Sequence, residues 1–150
     1  MITKNNPHDF TLQLSKTFLV NIERVYRAWT RPEELEKWWG PAGFKTTIVE
    51  MNLEVNGRYK FNMLAPNGEL HVVAGQYQEI IPYEKLVFTW KWIDQDNEFP
   101  LTKVTVEFLE QGENTDVIIS HSDLPSQEAA ENHNHGWTSF LEDTLNAYLQ

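Results

Sequence analysis

Apolar and polar side chains alternate from Phe10 to Phe18 in the run FTLQLSKTF, which predicts a half-buried strand at the start of the fold. The period then lengthens to that of a helix. Asn21 is placed to cap a segment in which Ile22, Val25, Tyr26 and Trp29 recur at i, i+3, i+4 and i+7, with Glu23, Arg24 and Arg27 turned to water. Pro32 breaks that segment and opens a second short helix from Glu33 to Trp38, ended by Gly40, Pro41, Ala42 and Gly43.

From Phe44 to His121 alternation returns, punctuated by turn chemistry at Asn56-Gly57, Pro66-Asn67-Gly68, Pro82, Asp94-Gln95-Asp96-Asn97 and Gln111-Gly112-Glu113-Asn114. Six strands in an antiparallel meander follow. Pro66-Asn67-Gly68 suits a type I turn with glycine in the left-handed position, which sets Ala65 against Glu69, Phe61 against Val73 and Tyr59 against Gly75. Tyr59, Phe61, Met63, Val73, Gly75 and Tyr77 then share a face, while Arg58, Lys60 and Asn62 take the other. Carrying the meander forward adds Leu86, Phe88, Trp90 and Trp92, then Val104, Val106 and Phe108, then Val117, Ile119 and His121. The inner face is strongly aromatic.

After Leu124-Pro125, Ser126 can cap a last helix with Glu128 in its first turn. Trp137, Phe140, Leu141, Thr144, Leu145 and Tyr148 give it an apolar stripe, and Gly136 inside it predicts a kink or a close approach to the sheet. One apolar sheet face and one apolar helix stripe must cover each other, so the order strand, two helices, six strands, long helix predicts an α+β fold with the sheet wrapped round the final helix. A curved sheet meets a straight helix imperfectly. The gap, closed at one end by the two short helices, is where a pocket is expected.

At 150 residues the chain is expected to form a single domain, 1–150, with 41% hydrophobic and 13% aromatic residues to fill its core. The net charge of −10 disfavours nucleic acid and anionic membrane as partners. Lys103 is the last basic residue, and nine acids follow it, from Glu107 to Asp143; this acidic C-terminal third could face a basic protein partner or simply be solvated. The absence of cysteine excludes disulfides, thiolate catalysis and cysteine-bound metals, and fits a reducing compartment. No apolar leader or bilayer-spanning run is seen, and a cytoplasmic location is the expectation.

Four stretches resemble the family of activators of heat shock protein 90 ATPase homologues, within the START-like superfamily: VYRAWTRPEELEKWWGP at 25–41, GRYKF at 57–61, GQYQEIIPYEKLVFTW at 75–90, and HSDLP at 121–125 followed by Gly136-Trp137. The resemblance implies a helix-grip fold whose hydrophobic cavity in relatives accepts lipids, polyketides or aromatic compounds. It implies no reaction.

The expected role is binding of a small apolar or aromatic ligand between sheet and C-terminal helix, without an obligatory cofactor or metal. The ligand-binding candidates are Trp38, Trp39, Tyr59, Phe61, Tyr77, Phe88, Trp90, Trp92, Val104, Val106, His121, Trp137, Phe140 and Leu141. Trp38 and Trp39 could gate the pocket, or one could anchor its helix while the other stays partly exposed. Tyr59, Tyr77 or His121 would orient the ligand through hydrogen bonds. Two alternatives stand beside binding: a chaperone-linked or other protein-interaction module, with a homodimer as one form of partnership, and a cyclase- or dehydratase-type enzyme using His121 or Glu79 as acid and base. Ser120, His121, Ser122 and Asp123 cannot form a hydrolase triad, because strand neighbours point to opposite faces. His133 and His135, two apart, do not share a helix face and make a poor metal site with Glu131.

Overall fold

The computed structural model describes residues 1–93 and 99–150, so the expected turn at Asp94-Gln95-Asp96-Asn97 lies outside the described residues. Strands β1 (Ile2–Asn6) and β2 (Asp9–Phe18) precede helices α1 (Ile22–Thr30) and α2 (Pro32–Trp38). Six strands follow: β3 (Lys45–Met51), β4 (Arg58–Leu64), β5 (Leu70–Ile81), β6 (Lys85–Trp92), β7 (Thr102–Gln111) and β8 (Asn114–Leu124). The chain ends in α3 (Gln127–Ser139), a π-helical turn at Phe140–Thr144 and α4 (Leu145–Leu149). Among these residues no helix is long and apolar enough to cross a membrane.

All strands are antiparallel neighbours in the order β1-β2-β8-β7-β6-β5-β4-β3. The meander accounts for six of them. The pairing of β2 with β8, from Leu12 opposite His121 to Phe18 opposite Thr115, joins the two ends of the chain. Because β2 and β3 lie toward opposite edges of the sheet, α1 and α2 must cross one of its faces to connect them. β1 was not expected from the pattern. Only Ile2 is apolar in ITKNN, so an edge strand exposed over most of its length leaves no period to read.

The β4–β5 hairpin has the register its turn requires: Gly68 is left-handed at φ 90°, Phe61 faces Val73, and Tyr59 faces Gly75. At Gly75 the sheet departs from regularity. A Cβ on this residue would sit 2.0 Å from the carbonyl oxygen of Thr89, so only glycine lets β5 approach β6 there. Side chains replace the lost ladder. The Thr89 carbonyl accepts the Tyr59 hydroxyl at 2.5 Å, and the Thr89 hydroxyl accepts the Gln76 N–H at 2.8 Å.

Both helical caps form as expected, Asn21 Oδ1 accepting from the Arg24 N–H at 2.9 Å and Ser126 Oγ from the Ala129 N–H at 3.1 Å. Arg24 is not simply solvated. Its guanidinium donates to Glu34 Oε1 at 2.7 Å and lies 4.7 Å from the Tyr148 ring centroid, tying the last helix to α1 and α2. The irregularity of the long helix falls at 140–144 instead of Gly136. There the Leu145 N–H reaches back five residues to the Phe140 carbonyl, and the extra residue in the turn lets Phe140 and Leu141 both point inward.

Candidate functional site

The aromatic residues of the interior divide into two groups with different surroundings. Under α1 and α2, Trp29, Trp38 and Trp39 are all buried; Trp38 donates its indole N–H to the Ala28 carbonyl at 2.8 Å, and Trp39 meets Phe61 edge-on with centroids 5.1 Å apart. Tyr59, Tyr77 and Phe88 complete this group. The space left among them is only about 10 Å³, on the order of one water molecule. Burial pushes the Tyr59 and Tyr77 phenols well above their ordinary range.

Farther along the same sheet face, toward the start of α3, the interior opens into a cavity of about 750 Å³. Trp90 and Trp92 of β6 and Met63 of β4 contribute the sheet wall, and Ala129, Asn132, His133, Gly136, Trp137 and Phe140 the helix wall. Pro41, Phe44, His71, Phe99, Pro100, Pro125, Ser126 and Glu128 complete the lining. A Cβ at Gly136 would meet nothing within 4 Å, so this glycine marks neither a kink nor a close approach to the sheet; it leaves helix surface bare toward the cavity.

In the wall and behind it, two histidines, His133 and His121, are locked by two tryptophans. An indole N–H can only donate, so the bond from Trp137 Nε1 to His121 Nδ1 at 3.1 Å fixes the His121 proton on Nε2. That proton goes to Thr102 Oγ1 at 2.7 Å, and the threonine hydroxyl passes its own to the Trp90 carbonyl at 3.1 Å. His133 is the mirror case: Trp92 Nε1 donates to its Nε2 at 3.1 Å, leaving the proton on Nδ1 for the Ala129 carbonyl at 2.7 Å. The two imidazoles are in edge contact, with centroids 4.8 Å apart. Burial, and then the proximity of His133, hold His121 well below the usual histidine range; burial lowers His133 as well, against the opposing effect of its bond to Ala129. All four ring nitrogens are engaged.

Of the residues singled out from sequence, Trp90, Trp92, Trp137 and Phe140 border the cavity. Trp38, Trp39, Tyr59, Phe61, Tyr77, Phe88, Val104, Val106 and Leu141 are packed in the buried core, and His121 lies fully buried opposite Val104, behind Trp137. Neither Trp38 nor Trp39 is exposed. Glu79 follows a bulge in β5 that turns it toward solvent, where its carboxylate meets Lys85 Nζ at 3.4 Å with 45% of the side chain accessible. His121 and Glu79 therefore do not share a site. His133 faces inward while His135 is exposed. The acidic C-terminal residues are distributed over β7, β8 and the last helix, with Glu142 paired to Lys16 at 3.0 Å.

The helix wall had a sequence signal that the apolar stripe concealed. Ala129, Asn132, His133 and Gly136 stand at i, i+3, i+4 and i+7, on the face that Trp137 and Phe140 continue, yet they are small or polar. A helix face turned toward the core but built from such residues leaves volume behind.

An eight-stranded antiparallel sheet curled against a C-terminal helix, with a cavity at their contact, defines a helix-grip protein of the START-like class. The sequence profile of the Activator of Hsp90 ATPase homolog 1-like protein family matches residues 19–150, and the chain belongs to that family. It is similar to the crystal structure of a protein from Chromobacterium violaceum, with 30% identity over 93% of this chain and 96% of the other and a TM-score of 0.83. An AHSA1 protein from Silicibacter pomeroyi is 27% identical over the same shares, with a TM-score of 0.81. A solution structure from Arthrobacter aurescens, at 23% identity, has a TM-score of 0.84 over 99% of this chain and 90% of the other and shares the fold. No functionally curated protein matches the chain.

Proposed function

We propose that this protein binds a small, ring-containing apolar ligand in the cavity between β4, β6 and α3. The observation that carries the reading is the cavity itself: about 750 Å³, within the range of about 300–1,000 Å³ usual for ligand sites, beside an aromatic cluster that leaves a space of only about 10 Å³. Three of its walls are indole rings, which supply large apolar contact at low conformational cost. The locked histidines support binding over acid–base chemistry, because His121 would have to release Trp137 or Thr102 before it could take or give a proton.

Gly136→Leu tests the reading without removing any wall. The new side chain has open space to enter and replaces a helix-interior glycine, so the variant is expected to fold at least as well as the parent. Binding of the uncharged probe N-phenyl-1-naphthylamine, followed by its own fluorescence and by quenching of tryptophan emission, should be seen with the parent and lost in Gly136→Leu. Equal binding by both proteins would mean that the probe sits elsewhere, and the cavity would no longer be the site.

A further inference from the structure

The cavity wall is uneven in charge. Among the described residues no lysine or arginine lines it, and the one formal charge in that lining besides the histidines is the carboxylate of Glu128, exposed at the rim. His133 cannot act as a cation there, since both its ring nitrogens are occupied in the neutral form. His71 lies 3.7 Å from the Glu69 carboxylate, toward the β4–β5 hairpin. The remaining surface is dominated by six rings, Phe44, Trp90, Trp92, Phe99, Trp137 and Phe140, which offer an anion no hydrogen-bonding replacement for its water, whereas aromatic rings as a class can hold a cation over their faces.

One element favours the opposite sign. The N-terminus of α3 borders the cavity, and its dipole end draws anions. That end is already answered. Ser126 Oγ accepts the Ala129 N–H, and Glu128 itself occupies the first turn. A carboxylate carried into the cavity would lose water and meet aromatic rings and a second carboxylate, with no ammonium or guanidinium among the described lining residues to replace its hydration. An ammonium would meet aromatic rings and a counter-charge, and the protein's net charge of −10 would draw it from solution.

We propose that the cavity selects ligands whose aromatic or apolar body carries a cationic amine, with Glu128 as the counter-charge at the mouth, and that it discriminates against carboxylates of the same shape. The inference rests on the cavity being the ligand site.

Three shape-matched compounds separate the possibilities: 2-naphthylmethylamine, 2-naphthylmethanol and 2-naphthoate, each competing with N-phenyl-1-naphthylamine at pH 8 and low salt. The amine should bind most tightly and exceed the acid by about tenfold, the scale of one partly screened charge pair. Glu128→Gln should shrink the gap between amine and acid, and Glu142→Gln, which removes the same charge beside Lys16, should leave it in place. A naphthoate that binds as tightly as the amine would overturn the proposal, as would a gap that narrows equally in both variants. If the alcohol binds and is blocked by Gly136→Leu, the ligand site stands whatever the fate of the charge preference. If none of the three displaces the probe, the site falls and the preference with it.

Discussion

The two halves of the interior are made of the same material and end in opposite states. Beneath α1 and α2, tryptophan, tyrosine and phenylalanine rings leave a space of only about 10 Å³ among them; beside the first turns of α3, another set of rings lines an open cavity of about 750 Å³. Aromatic content does not separate them. What differs is the covering element. α2 and the turn after it insert Trp38 and Trp39 into the space above the sheet, whereas α3 presents Ala129, Asn132 and Gly136 to the same sheet face and leaves its space unfilled. A cavity in this fold is thus made by what the helix withholds.

The largest expected effect probes the filled half. Trp39→Ala should lower unfolding free energy by about 3–5 kcal/mol, because a fully enclosed ring leaves a void that rigid neighbours cannot close. Trp92→Ala, at a half-buried ring already bordered by empty space, should lower it by about 1–2 kcal/mol, much of that from the broken bond to His133. Urea titrations of the two variants compare them directly, and equal losses would erase the distinction between the halves.

Titration should separate the halves by pH. His121 and His133 hold folded pKa values below the ordinary 6.5, so the unfolded chain binds more protons as pH falls through 6.5, and stability declines from there toward their depressed values. The slope is up to about 1.4 kcal/mol per pH unit for each histidine. Tyr59 and Tyr77 behave in reverse: their folded values lie above the ordinary 10, so the stability present below pH 10 is lost as pH rises through 10 toward those raised values. Tyr59→Phe with Tyr77→Phe should therefore flatten the alkaline limb of a stability–pH curve and leave the acid limb alone. An unchanged alkaline limb would show that these phenols do not set it.

Two glycines give a comparison of opposite sign. Gly75→Ala drives a methyl group into the Thr89 carbonyl and should destabilise by about 1–3 kcal/mol, whereas Gly136→Ala enters open space in a helix and should stabilise by up to about 1 kcal/mol. Thermal midpoints moving in the same direction for both would contradict the close approach at Gly75 or the opening at Gly136. Smallest, Glu142→Ala removes an ion pair with Lys16 whose acid is half exposed, and should change stability by less than about 0.5 kcal/mol.

The course of the chain was legible because each element carried its own period and punctuation. Asn21, Pro32, Pro66-Asn67-Gly68 and Ser126 act within a few residues of themselves, and all four behave locally as their chemistry dictates. β1 was missed for want of a hydrophobic face, and the bulge that turns Glu79 outward depends on how β5 meets β6. The candidate site was legible only in part. Trp90, Trp92, Trp137 and Phe140 could be read as inward aromatics, but so could Tyr59, Phe61, Tyr77 and Phe88, and nothing in alternation distinguishes a ring that meets another ring from one that meets space.

By itself, then, the sequence determined the order of elements, the inner face of the sheet, the sign of the surface charge and membership in the family, since these follow from local periods, summed charge and short motifs. The tertiary structure decided where volume was left over and which histidine nitrogens hold protons. Leftover volume is a small difference between what a curved sheet encloses and what a helix face fills, and a tautomer depends on which indole from another element, Trp137 of α3 for His121 and Trp92 of β6 for His133, points at the ring. Both are relations between residues on different elements, 16 and 41 positions apart for the two histidines, and no local pattern encodes them.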